Sequence, residues 1–156
     1  RLRIMSDFIV SFDVDAIAEG MGLDASTVIE RMKDSRTTAP WMEERIRQDY
    51  YDGAADSKGI GDVESQGSVA EFKGLSRYGV RIVPSGMVGK GRSVDWDELD
   101  QWLEEMDGGF IIHDNTQVPD VACWHIDAEV VRGWILDEEF NSGGGLTYNR
   151  AIELLG

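Results

Sequence analysis

The sequence predicts an α/β (α+β) fold in which a central mixed β-sheet is flanked by helices. Three observations predict it. Helical and extended patterns alternate in the order helix, two hairpin-like strands, strand, helix, strand, strand, helix. Of the 156 residues, 42% are hydrophobic and five are Trp, enough for a sizeable core in a single domain spanning 1–156. No repeat of solenoid period and no long low-complexity segment competes with that reading.

Each element follows from local chemistry. Residues 7–14 read as a strand or the lead-in to a helix. Asp15 to Glu19 and Asp24 to Lys33 are helical pieces, the second with N-cap chemistry at Asp24 and an apolar face of Val28, Ile29 and Met32. Ser35 to Pro40 reads as a break. Pro40 suits the first turn of a helix over 41–51 whose apolar face holds Met42, Ile46 and Tyr50. Residues 53–61 are loop. Ile60–Glu64 and Ser68–Phe72 read as strands joined by a turn at Ser65-Gln66-Gly67, and Gly79–Pro84 as a third. A glycine-rich basic loop follows at 86–92. Ser93 or Asp95 caps a helix to about Met106, burying Val94, Leu99, Trp102 and Leu103. Strands at 110–113 and 121–126 precede a helix from Asp127 to about Leu136. A joint at Gly143-Gly144-Gly145 leads to a last helix over 148–155. The tryptophans fall mostly on apolar faces and read as core.

The bulk numbers bound the function. No apolar run approaches the roughly 20 residues of a membrane helix, and residues 1–4 read as a remnant ahead of an initiator Met5. The single Cys123 excludes an internal disulfide and a multi-Cys zinc site, which fits a cytoplasmic setting, that of the host cell if the protein is viral. The net charge of −15 argues against nucleic acid at first sight. Its distribution argues otherwise. Lys73, Arg77, Arg81, Lys90 and Arg92 are five cations with no intervening acid, whereas residues 93–156 carry fifteen acids and two arginines.

One constellation carries chemistry. On a strand, Glu71 and Lys73 share a face and Phe72 points to the other. With Asp62 on the neighbouring strand, two carboxylates and an ammonium converge. Two carboxylates alone repel, and a hard divalent cation removes that conflict. Asp62, Glu71 and the Phe72 carbonyl are the expected ligands of Mg²⁺, with Mn²⁺ as a substitute. Lys73 lies beside the attacking water and the developing charge.

Asp62 followed by Glu71-Phe72-Lys73 resembles the PD-(D/E)XK nuclease superfamily. Glu43, with Ile46 and Tyr50 three and seven residues on, is similar to the acidic helix of its phage and archaeal Holliday-junction resolvases. So is the approach Gly53 to Asp62, although Gly61 stands where the family often has Pro. The resemblance covers about 41–113 and leaves 121–156 as a C-terminal strand–helix extension. It implies a restriction-endonuclease-like core, Mg²⁺-dependent hydrolysis of DNA phosphodiesters in duplex or branched substrates, and a homodimer. Asp62, Glu71, Lys73 and the auxiliary Glu43 would be the catalytic set, and Arg77, Arg81, Lys90 and Arg92 would hold DNA. Asp56 or Glu64 are alternatives to Asp62 as first acid.

Other readings stay open. A surface hairpin with a cross-strand Glu–Lys pair explains the same residues without chemistry. The acid-dense stretch 95–107 suits a DNA mimic or inhibitor of a restriction or defence enzyme, and a nuclease fold without activity is a third option. The string Gly86 to Ser93 lacks P-loop spacing. Cys123 and His125 read as a buried thiol and a hydrogen-bonded imidazole rather than a catalytic pair.

Overall fold

The computed structural model describes residues 6–52, 62–84, 87–88 and 93–156, leaving aside the side chains of Ser35 and Thr37. Lys90, Arg92, Asp56 and the approach at 53–61 lie outside them. The elements in chain order are β1 (Phe8–Ser11), α1 (Val14–Met21), α2 (Ala25–Met32), α3 (Ser35–Tyr50), β2 (Val63–Ser65), β3 (Ser68–Leu75), β4 (Val80–Arg81), α4 (Trp96–Glu105), β5 (Gly109–Asp114), a 3₁₀ turn at Asn115–Gln117, β6 (Asp120–Ile126), α5 (Ala128–Leu136), β7 (Gly145–Leu146) and α6 (Tyr148–Leu155).

Five strands form the main sheet in the order β1-β6-β5-β3-β2. Only β3 and β5 run parallel, joined by the crossover that contains α4; the other pairs are antiparallel. Alternation along β3 and β5 sends side chains into two cores. Phe72 and Ile111 meet Val14, Met32, Met42 and Ile46 beneath α1, α2 and α3. Leu75, Phe110 and Ile112 meet Leu99, Leu103, Trp134 and Ala151 beneath α4, α5 and α6. The sheet is thus covered on both faces, which is why β5 is buried at every position, from the apolar Phe110, Ile111 and Ile112 to the polar His113 and Asp114.

Four local expectations are corrected. The break at Ser35–Pro40 is helix: Asp34 caps α3, accepting from the Arg36 N–H, and Thr38 donates to the Met32 carbonyl at 3.0 Å. Pro40 sits inside that helix because capping and packing outweigh the one backbone bond it removes. The third strand shrinks to β4 and pairs with β7 in a separate two-stranded sheet, so the glycine joint at 143–145 ends in extended structure. Close packing explains one glycine there: a Cβ on Gly145 would meet the Val80 carbonyl oxygen at 2.8 Å. Tyr50 and Trp41 are exposed rather than core. Among the described residues no helix is long and apolar enough to cross a membrane.

Candidate active site

The site is built where β2 stops. Its ladder with β3 runs from Ser65↔Ser68 to Val63↔Ala70 and is continued by the Asp62 N–H, which donates to the Ala70 carbonyl at 2.9 Å. Beyond that point the Asp62 side chain replaces a strand: Oδ2 accepts from the Phe72 N–H at 2.7 Å. A residue's N–H and C=O leave a strand on the same edge, so the Phe72 carbonyl faces this edge too. Among the described residues no strand pairs with β3 on that side past Ala70.

Glu71 and Lys73 emerge together from β3, with Lys73 Nζ 3.5 Å from Glu71 Oε2 and both side chains about a quarter exposed. The expectation that they share a face holds. Burial raises the Glu71 carboxyl above the usual range; Lys73 opposes the shift and Asp62 adds to it. Glu43 is brought in by α3, from the opposite helical layer. Burial first, and then the charge of Asp62, push its carboxyl up to about 7, against the pull of Lys73 and Arg47 and with a smaller push from Glu71. Glu43, Asp62, Glu71 and Lys73 therefore lie within electrostatic reach of one another. Glu64 points to solvent from β2 and plays no such part.

His113 is the residue sequence reasoning missed. It is fully buried on β5, in register with Gly74 of β3. Its Nδ1 lies 2.9 Å from Asn115 Oδ1, and with the amide in this orientation Nδ1 carries the proton. Its Nε2 is then an acceptor with no hydrogen-bond partner among the described residues, 4.0 Å from Glu43 Oε1. Burial pulls the imidazole pKa down and keeps it neutral, so the pair is not an ion pair. A protonated Glu43 is the one form of that side chain able to donate to Nε2.

Comparison with known proteins leaves this geometry to be read alone. No family model matches the chain, and no curated protein or solved structure matches it.

The donor set is one of hard oxygens: two carboxylates and a strand-edge carbonyl. Among the described residues no group of three or more His, Cys, Asp or Glu is arranged to hold a metal ion by itself. The chemistry of the donors still fits Mg²⁺, which takes one or two carboxylates and completes its shell with water and substrate phosphate.

The other expected residues are scattered. Arg77 is exposed on the turn after β3, with its guanidinium over the Tyr78 ring, and Arg81 is exposed on β4. Cys123 is buried and its thiol is pushed up to about 12, which makes it inert as a nucleophile. His125 is held at both ring nitrogens, by Tyr50 and by the Gly108 carbonyl, each at 2.7 Å.

Proposed function

We propose that the chain is a metal-dependent DNA endonuclease of the PD-(D/E)XK kind that hydrolyses phosphodiester bonds, with a Holliday junction or other branched DNA among its substrates and a homodimer as the working form. One observation supports this above the others: Asp62, Glu71, Lys73 and Glu43 lie within electrostatic reach of one another beside β3, along an edge where no strand of the described residues pairs past Ala70.

Asp62, Glu71 and the Phe72 carbonyl would hold Mg²⁺, or Mn²⁺ in its place, which when bound supplies Lewis-acid polarisation and a more acidic water. The protein's own groups do the rest. Glu71 holds the Lys73 ammonium at 3.5 Å, so that it faces the charge that develops on phosphoryl oxygens. Glu43, with its pKa raised to about 7, can accept and release a proton near neutral pH.

The test is nicking of supercoiled plasmid and of synthetic four-way junctions, with Mg²⁺ or Mn²⁺ against EDTA. Lys73→Ala and Asp62→Asn are each expected to lower cleavage by at least about 100-fold while circular dichroism and melting stay close to wild type. Undiminished cutting by both variants overturns the reading. The acidic-mimic alternative draws on the exposed acids of α4 and its cap, Asp95, Asp97, Glu98 and Glu104. It predicts inhibition of another enzyme and no dependence on divalent metal.

A further inference from the structure

A second feature lies where β3 leaves the sheet. A cleft of about 800 Å³ opens between the α2–α3 junction and the turn after β3; its lining carries three cations, Lys33, Arg36 and Arg77, and two acids, Glu30 and Asp34, with Tyr78 among its other residues. None of the four acidic-site residues lines it. Arg77 lies only four positions on from Lys73, at most about 14 Å of extended chain.

The turn that carries Tyr78 is tied by hydrogen bonds and close packing. Ser76 and Gly79 exchange backbone hydrogen bonds of 3.1 and 2.9 Å, and the Tyr78 N–H donates to Ser76 Oγ at 3.2 Å. Gly79 has φ +99, and a Cβ there would overlap the Leu146 carbonyl oxygen. On this turn Tyr78 is 81% exposed, more than any other large hydrophobic side chain among the described residues. Arg77 covers one side of its ring at 4.7 Å and donates to its hydroxyl at 2.6 Å. An exposed aromatic ring held by its neighbour on a hydrogen-bonded turn offers a stacking platform at small entropic cost.

The charges around it suit a phosphate. Among the described residues Arg77 has no carboxylate partner. Lys33 and Arg36 are paired with Glu30 and Asp34 at 3.2 and 3.5 Å, but these pairs are exposed and weak enough to yield to an anion. We propose that this cleft binds one unpaired nucleotide of a single-stranded or branched DNA, its base stacked on Tyr78 and its phosphate held by Arg77 with Lys33 and Arg36. A fully paired duplex is disfavoured because its bases already stack on each other and offer Tyr78 no face. This rests on the nuclease reading and deepens it: the substrate class is branched DNA that presents an unpaired nucleotide beside its duplex arms.

The experiment measures binding, without metal, of the Lys73→Ala protein to three fluorescein-labelled probes: a thymidine oligonucleotide, a blunt duplex of equal length, and a single nucleotide. The single strand is expected to bind at least about tenfold more tightly than the duplex. Adding Tyr78→Ala is expected to lower that affinity about tenfold, with Tyr78→Phe close to the parent. Arg77→Ala should weaken binding most at low salt. The single nucleotide should compete at the same cleft, more weakly. Absence of single-strand binding, equal affinity for duplex, or an unaffected Tyr78→Ala protein overturns the proposal. Because Lys73 is already replaced, binding is scored apart from cleavage. Loss of plasmid nicking by the wild type would sink the hydrolase and leave this site standing, and the reverse holds equally.

Discussion

The two histidines sit at opposite ends of the helix–sheet contact made by α3, and they are treated differently. His125 meets Tyr50 near the C-terminal end of α3. Both its ring nitrogens are hydrogen-bonded, its backbone N–H donates to Asp7, and Tyr50 stacks on Phe8 at 4.3 Å. His113 meets Glu43 two turns earlier on the same helix. It is more deeply buried, one of its nitrogens has no hydrogen-bond partner among the described residues, and its neighbour is a carboxyl pushed up to about 7. Tyr51 Oη and Trp124 Nε1, beside Tyr50 and His125, are equally without a partner among those residues, so the raised carboxyl of Glu43, rather than the bare nitrogen, distinguishes the site at the His113 end from the strut at the His125 end.

The largest expected effect tests depth. His113→Ala removes a fully buried ring, opens a cavity and strands Asn115, at a cost of about 3 kcal/mol. His125→Ala leaves partners that water can reach, at a cost of about 1 kcal/mol. Urea unfolding of both variants checks the order. A larger loss at His125 would mean that the strut, not the buried ring, anchors α3.

The next effect sharpens the acidic side. A carboxyl whose folded pKa is raised binds more protons folded than unfolded, so stability falls as pH rises from about 4.5 to 7 and is level above that window. The full shift corresponds to at most about 3 kcal/mol. With the Glu43 side chain still 26% exposed, about 2 kcal/mol is expected. Glu43→Gln removes the penalty: it should stabilise the metal-free protein at pH 8, leave it near wild type at pH 4.5, and flatten the profile between. Thermal melts across that range decide it, and a variant that is less stable at pH 8 would show that Glu43 is not held there against its charge. Mg²⁺ should reverse the wild-type trend, raising the melting temperature more at pH 8 than at pH 5.5.

How far such contrasts could be read in advance depends on range along the chain. Glu71 and Lys73 were legible because a strand's period of two acts within three residues. The helices and the two-faced sheet were legible from apolar periodicity over ten or so. His113 was not, because in Gly109 to Asp114 it looks, with Asp114, like the polar end of a core strand. Only the parallel register Gly74↔His113, closed across 39 positions, sets it opposite α3. Pro40 misled for a related reason. Its local signal marks a helix start, while the Asp34 cap and the burial of Met42 and Ile46 on α3 decide where the helix begins. The Arg77–Tyr78 turn was read as charge alone, since exposure of an aromatic ring is a tertiary fact.

The smallest effect tests whether strut and site are separable. Tyr50→Phe deletes the 2.7 Å hydrogen bond to His125 Nδ1 and keeps the ring that stacks on Phe8. Tyr50 is 40% exposed, so water can replace the lost hydroxyl and the cost is about 1 kcal/mol. For a chain of this size that lowers the melting temperature by roughly 2–4 °C. Metal-dependent nicking should be unchanged at 25 °C, because Glu43, two turns away, keeps its position through Met42 and Ile46, both buried in the core beneath α3. If cleavage instead fell with this hydroxyl while the melt moved only a few degrees, the two ends of α3 would be one unit, and His125 would belong to the site as much as His113 does.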